Sequence, residues 1–333
     1  LGFNGEKYEL ILSAEGNRAG LFPLVYFQRH APESVLAHWN ILVGRQASEE
    51  FYLRAGETEI RAEDVQVWVE QKEGGRVSLT LCCEKLRPLM KEEADKIWWL
   101  LTTLTDQVLG EVSAIALIND LDLAEQPKEG APILLSDLPQ FLRDRGYTLW
   151  DDARDYLDNS YIGYELEPVV DPEADWRLDV CAGSARLPVL INEYRSDKSG
   201  TMDDYHKDGI TAGFLCYPLA GFQGEDRAAQ ILQFRDALQE AIQEHAGDDA
   251  AAFLGGATGL YYGYLDLIAW DLPAVLDAAK EFFTGTALTW GGFHVFRRGV
   301  GAVRLWGRDG EQEGEQEGEQ EKAPDVYPET RSL

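Results

Sequence analysis

Hydrophobic and polar positions alternate with period two early in the chain, where Val65, Val67 and Val69 are interleaved with Gln66, Trp68 and Glu70. Gly74-Gly75 then turns the chain into Val77-Ser78-Leu79-Thr80-Leu81, which predicts a β-hairpin with one buried face. Within residues 91–109 the period changes: Ile97, Leu101, Leu104 and Val108 recur at helical spacing and predict a helix that covers a sheet and ends at Gly110. Upstream, residues 8–12, 38–44 and 51–53 read as strands. Residues 21–27 suit helix or strand, because Pro23 is tolerable in a helix only within its first turn. Residues 112–118 are expected to return as a strand.

Between residues 120 and 175 the pattern weakens around Pro127, Pro132, Pro168 and Pro172, and two short amphipathic helices are expected, at 135–145 with Ser136 as N-cap and at 151–159. Periodicity resumes beyond them. Residues 178–181 and 187–192 are expected to pair as a hairpin, and residues 212–217 form a strand that stops at Pro218. Residues 226–245 carry a helical stripe of Ile231, Phe234, Leu238 and Ile242. Residues 251–255 and 260–270 read as strands flanking a glycine-rich turn, Asp271 caps a helix running to about 283, residues 288–298 are a strand, and 301–306 pair after it.

From residue 212 the order is β-α-β-β-α-β, the split βαβ arrangement of a ferredoxin-like sandwich. The first half reads as a relative of it with an extra strand or two. The expected fold class is therefore α+β, with two ferredoxin-like sandwich domains related by structural duplication. Residues 1–123 would form the first domain, 124–176 a connector, 177–306 the second domain and 307–333 a tail.

Charge narrows the classes of function. The 333 residues include 59 acids against 30 bases, a formal charge of −29. Nucleic-acid binding then lacks its usual source of phosphate neutralisation, and an anionic membrane would repel the chain. Composition is nevertheless that of packed cores, with 45% hydrophobic residues and nine Trp. No uninterrupted apolar run reaches membrane-spanning length and the first residues lack a signal-peptide pattern, so a cytoplasmic location is expected. Leu1 in place of Met suggests a processed, trimmed or excised chain. Three Gly-Glu-Gln-Glu repeats follow Asp309, and residues 307–333, with nine acids and three bases, carry −6 of the charge and leave −23 to the rest. That tail is expected to be disordered.

Candidate chemistry is sparse. Cys82, Cys83, Cys181 and Cys216 lack metal or redox spacing and read as free thiols, with a Cys181–Cys216 bridge as the alternative. The glycine-rich segment 255–259 leads into another strand without a following Lys, which favours a turn or bulge over a phosphate loop. His30, His38, His206, His245 and His294 show no metal spacing, and no metal or cofactor is expected. An acidic turn at 171–175 lacks the pattern of a calcium loop. Two features stand out. His206 lies in a polar, versatile cluster at 202–208, and Tyr262, Tyr264, Asp266 and Trp270 share one strand face that is either covered by a neighbouring layer or able to stack on a small ligand.

Residues 30–46, from His30-Ala-Pro-Glu to Val43-Gly-Arg-Gln46, and 253–271, from Phe253-Leu-Gly-Gly to Ala269-Trp-Asp271, resemble the C-terminal region of tetratricopeptide-repeat-containing proteins from anaerobic gut bacteria. The second segment also resembles small ferredoxin-like domains of unknown function. The resemblance implies an upstream helical-repeat region of the same chain and carries over no activity or site residues. The function expected is a non-catalytic protein-interaction or regulatory module with protein partners, basic ones by charge complementarity. The alternatives are a hydrolase-like enzyme or a small-ligand sensor, with a site at His206, Tyr262, Tyr264, Asp266 and Trp270.

Overall fold

The computed structural model describes residues 1–48, 50–89 and 92–307, so the acidic tail from Arg308, expected to be disordered, lies outside the described residues. The chain opens with β1 (Gly2–Phe3) antiparallel to β2 (Tyr8–Leu12). Helices α1 (Arg18–Arg29) and α2 (Glu33–Leu36) return it to β3 (Trp39–Val43), parallel to β2. Residues 21–27 are thus helical even though Pro23 lies past the first turn. Proline there deprives the Ala19 carbonyl of its usual N–H donor. The hydroxyl of buried Tyr205 takes that place, donating to the Ala19 carbonyl at 2.8 Å.

A short hairpin, β4 (Tyr52–Ala55) and β5 (Thr58–Arg61), precedes the longer one, β6 (Val65–Lys72) and β7 (Arg76–Cys83). Helix α3 (Ala94–Leu109) places Ile97, Leu101 and Leu104 against Val67, Leu79 and Leu81 of that hairpin, in one buried cluster. Residues 111–117 are not a strand. Gly110 adopts a φ of +80°, and α4 (Glu111–Leu117) starts at once, bent by 103° from α3. A run this short and almost wholly buried has no solvent-facing side, so helix and strand look alike in it. Strand β8 (Ile118–Leu123) then lies parallel to β7.

The connecting region is built into the fold. Strand β9 (Ile133–Leu134) adds to β6, giving a sheet ordered β8-β7-β6-β9. Helix α5 (Leu138–Asp144) follows a 3-10 turn with Pro139 in its first turn, and Ser136 caps nothing. Helix α6 (Ala153–Asn159) is capped by Asp152, whose side chain accepts from the Asp155 N–H. Strand β10 (Ile162–Glu165) joins the second half.

There, β11 (Val180–Ala185), α7 (Pro188–Arg195), α8 (Gly200–Lys207) and β12 (Thr211–Pro218) come first. Helix α9 (Arg227–Ala246), β13 (Ala251–Gly259), β14 (Tyr262–Ala269), α10 (Leu272–Thr284), β15 (Trp290–Val295) and β16 (Val303–Gly307) complete the chain. The expected hairpin at 178–192 does not form, because Pro188 starts a helix and β11 pairs with β10 and β13 instead. The glycine-rich segment is strand, with a bulge at Gly255, where φ is +122° and a Cβ would meet the Ser184 carbonyl. Asp271 caps α10 by accepting from the Ala274 N–H.

These strands form an antiparallel sheet ordered β10-β11-β13-β14-β12-β15-β16. Helices α9 and α10 cover one face through Ile231, Leu238, Val275 and Phe283. On the other face α7 and α8 are joined by α1 and α6 from the first half, so that Leu21, Phe22 and Leu157 share a core with Phe214, Tyr264 and Ile268. The molecule is a mixed α+β protein with several sheets. Its first half distributes its strands over three small sheets, where the strand count suggested one. No single helix among the described residues is long and apolar enough to cross a membrane.

Candidate functional site

Asp266 is fully buried in β14, and its two carboxylate oxygens receive the two terminal nitrogens of Arg177, one at 2.7 Å. Burial works against both charges. Even so, the Asp266 carboxylate holds the Arg177 guanidinium above its ordinary pKa, while burial keeps the Asp266 carboxyl above its own, opposed by Arg177. The Tyr264 hydroxyl accepts from the Arg177 backbone N–H at 2.7 Å and donates to Asp179 at 2.5 Å. Asp179 in turn accepts from the N–H groups of Tyr261 and Tyr262, at 2.9 and 3.1 Å, and ties down the β13–β14 turn. The centre of the aromatic strand face, Tyr264 and Asp266, is thus covered and its polar side-chain atoms are paired. All four cysteines are free, and burial pushes the Cys82, Cys83 and Cys216 thiols up.

Of the other expected site residues, Tyr262 touches this network only through its backbone N–H, and His206 and Trp270 lie apart from it. Tyr262 packs between Trp176 and Trp290 at one end of β14, with ring centroids 6.5 and 5.5 Å away. Trp270 sits just past the other end, roughly 26 Å along the strand at about 3.3 Å per residue, and His206 is exposed on α8. One small ligand does not span them.

A second buried charge cluster ties the first half together. Fully buried Glu111 accepts from the Ser13 hydroxyl at 2.9 Å, from the Arg45 backbone N–H at 3.0 Å and from its guanidinium at 3.5 Å. Asp106 shares that guanidinium at 3.3 Å, and burial, then the neighbouring Glu111 charge, raises its pKa to about 7. Among the described residues no group of three or more His, Cys, Asp and Glu is placed to hold a metal ion.

Open space lies elsewhere, around α1. With about 3.6 residues per turn, Pro23, Leu24 and Phe27 fall on one side of this helix and Phe22, Val25 and Arg29 on another, with Tyr26 between them. The first side faces a crevice of about 710 Å³. Leu10 and Leu12 of β2, Ile41 of β3 and Val35 of α2 line it, together with Ile210 and Trp270 from the second half. Parallel pairing aligns Tyr8, Leu10 and Leu12 with Trp39, Ile41 and Val43, so the apolar strip continues out of the crevice onto a Phe3–Tyr8–Trp39 ladder with centroids 5.3 and 5.2 Å apart. Phe27, on the crevice wall, is 55% exposed.

The opposite side of α1 faces a polar cleft of about 350 Å³, and Tyr26 and Trp270 line both spaces. Their rings stack at 4.4 Å with 23° between planes, and His30 lies on Tyr26 at 4.0 Å. Arg29, Arg154 and Arg186 line the cleft together with Asp158, Asp248 and Asp249. Arg186 is fixed by donating to the carbonyls of Leu157 at 2.6 Å and Phe253 at 2.9 Å and to Asp158. Arg29 meets Asp249 at 2.7 Å in an open pair, 40% and 52% exposed.

Of the five expected site residues only Trp270 belongs to this site. Tyr26 and Arg29 were missed because a three-residue interval on a short helix carries no chemical pattern, and Leu10 and Leu12 because a five-residue strand shows too little alternation. No protein-family model, curated protein or solved structure matches the chain, so the resemblance to tetratricopeptide-associated proteins rests on the quoted segments and the functional reading on this crevice and cleft.

Proposed function

We propose that this chain is a non-catalytic regulatory and protein-interaction module, in which the crevice takes an apolar ligand and the acidic surface meets a basic protein partner. The observation that carries the reading is the open apolar crevice itself, whose walls come from both halves of the chain. Its volume lies within the range of about 300–1,000 Å³ common to small-ligand sites. An occupant would touch α1 and the end of β14 together, and so bias how the halves pack. The −23 carried by residues 1–306 would steer a basic partner rather than perform chemistry. Within this proposal residues 211–295 form a ferredoxin-like unit, supported by their β-α-β-β-α-β order and by the strand order β13-β14-β12-β15. A cytoplasmic location and an upstream helical-repeat region belong to the same proposal.

Calorimetric titration with 1-octanol tests the crevice. Saturable binding is expected, and Phe27→Asp together with Val35→Asp should abolish it, since both side chains are exposed enough for the fold to tolerate the change. Absence of saturable binding to the unaltered chain would sink the reading.

A further inference from the structure

We infer that the ligand of this site is a single-chain amphiphile with a zwitterionic headgroup, its aliphatic chain in the crevice and its headgroup in the polar cleft beyond the Tyr26–Trp270 pair. The inference rests on the crevice being a ligand site and adds the class of ligand. Two spaces of opposite character meet at a pair of stacked rings that lines both, and the ligand would pass along the rim of that pair rather than between rings in contact. Such a boundary fits a molecule that changes from apolar to polar along its length.

Charge complementarity selects the headgroup. The protein as a whole is strongly acidic, yet the cleft holds three guanidinium groups against three carboxylates. A plain anion would meet Asp248 and Asp249, and a plain cation would meet Arg29 and Arg154. A headgroup bearing both charges finds a partner for each. Arg29 and Asp249 are the pair suited to open for it, being exposed and joined at 2.7 Å with His30 Nε2 a looser 3.6 Å from the second Asp249 oxygen, whereas Arg186 is fixed by two carbonyls and Asp158 and supplies a rigid end. Gln239 and Gln243 of α9 line the same cleft and add donors and acceptors without net charge. Arg29 is one turn from Tyr26 on α1, so the headgroup site and the wall of the crevice are positioned by one helix.

The test compares octylphosphocholine, octanoate and 1-octanol on the full chain by calorimetry, each below its micelle-forming concentration. Octylphosphocholine should bind about tenfold more tightly than octanol, the difference that one or two charge-assisted hydrogen bonds supply, and octanoate no more tightly than octanol. Arg29→Gln and Asp249→Asn should each bring octylphosphocholine towards the affinity of octanol and leave octanol binding unchanged. Both positions are exposed, so two independent variants guard against misfolding of either. Equal affinity for octylphosphocholine and octanol, or indifference to both substitutions, would overturn the headgroup inference and leave the apolar crevice standing. Failure of all three compounds to bind would remove both.

Discussion

Asp106 shows how a single side chain can set a pH dependence. Its carboxyl shares Arg45 with Glu111, with Glu15 also on that guanidinium, and its pKa rises from 3.8 to about 7 in the folded chain. The folded state therefore holds the proton more tightly than the unfolded one. The stability this gives is complete below the unfolded pKa and is lost as pH rises through about 7. Asp106→Asn, which cannot ionise, should gain on the unaltered protein between pH 5 and pH 8 by about 1 kcal/mol or more in urea titrations. An effect equal at both pH values would contradict the account. Asp266 carries a second prediction. Period-two reading of β14 places it between aromatic neighbours and suggests a mild cost for Asp266→Asn. The structure changes that expectation, because Arg177 would be left buried and half-paired, so a loss of about 3–5 kcal/mol is expected, against about 1–3 kcal/mol for Tyr264→Phe. Arg177 stands 89 residues from Asp266, and nothing in the local pattern of either announces the other.

Long elements with one wet face were legible, and short or enclosed ones were not. The hairpin β6–β7, helix α3 and the capped helix α10 lie where alternation, stripe and Asp271 place them, since each has one face that must be apolar and one that need not be. Leu101→Ala in α3 should cost about 2–5 kcal/mol, and a loss below about 0.5 kcal/mol in a denaturant titration would mean that the stripe is misassigned. Helix α4 reads as a strand because a short run enclosed by neighbours shows little of its period, and α7 because the window 187–192 is too short to separate the two periods, although Val189 and Asn192 are exposed. Helix α1 adds a test of its own. Tyr205→Phe removes the donor that serves the Ala19 carbonyl beneath Pro23 and should cost about 1–3 kcal/mol. In a Pro23→Ala background the helix supplies its own N–H, and the cost should fall to less than half. Equal costs in both backgrounds, measured as a double-mutant cycle, would show that the hydroxyl does not compensate the proline.

At the scale of the molecule the acidity acts on stability as well as on partners. A formal charge of −29 repels itself, and salt screens exposed charges more than the buried Arg177–Asp266 and Arg45–Glu111 pairs. The melting temperature should therefore rise as sodium chloride increases from about 0.05 to 0.5 M, a range over which the screening length falls severalfold; a fall would mean that surface ion pairs outweigh the repulsion. The crevice and cleft also belong to this scale. They arise where α1 and the small β1-β2-β3 sheet meet the β14 end of the large sheet, elements far apart in the chain that no local pattern brings together.

The insertion of α1 into the core of the large sheet has a consequence in time. Leu21 and Phe22 belong to one buried core with residues of β12 and β14, some 190 to 245 positions later in the chain. At a synthesis rate of about 5–20 residues per second, the helix leaves the ribosome roughly 10–50 s before the surface it covers exists. Throughout that interval the helix has chiefly β3 and later α6 for neighbours, and its core is complete only once β14 has been made.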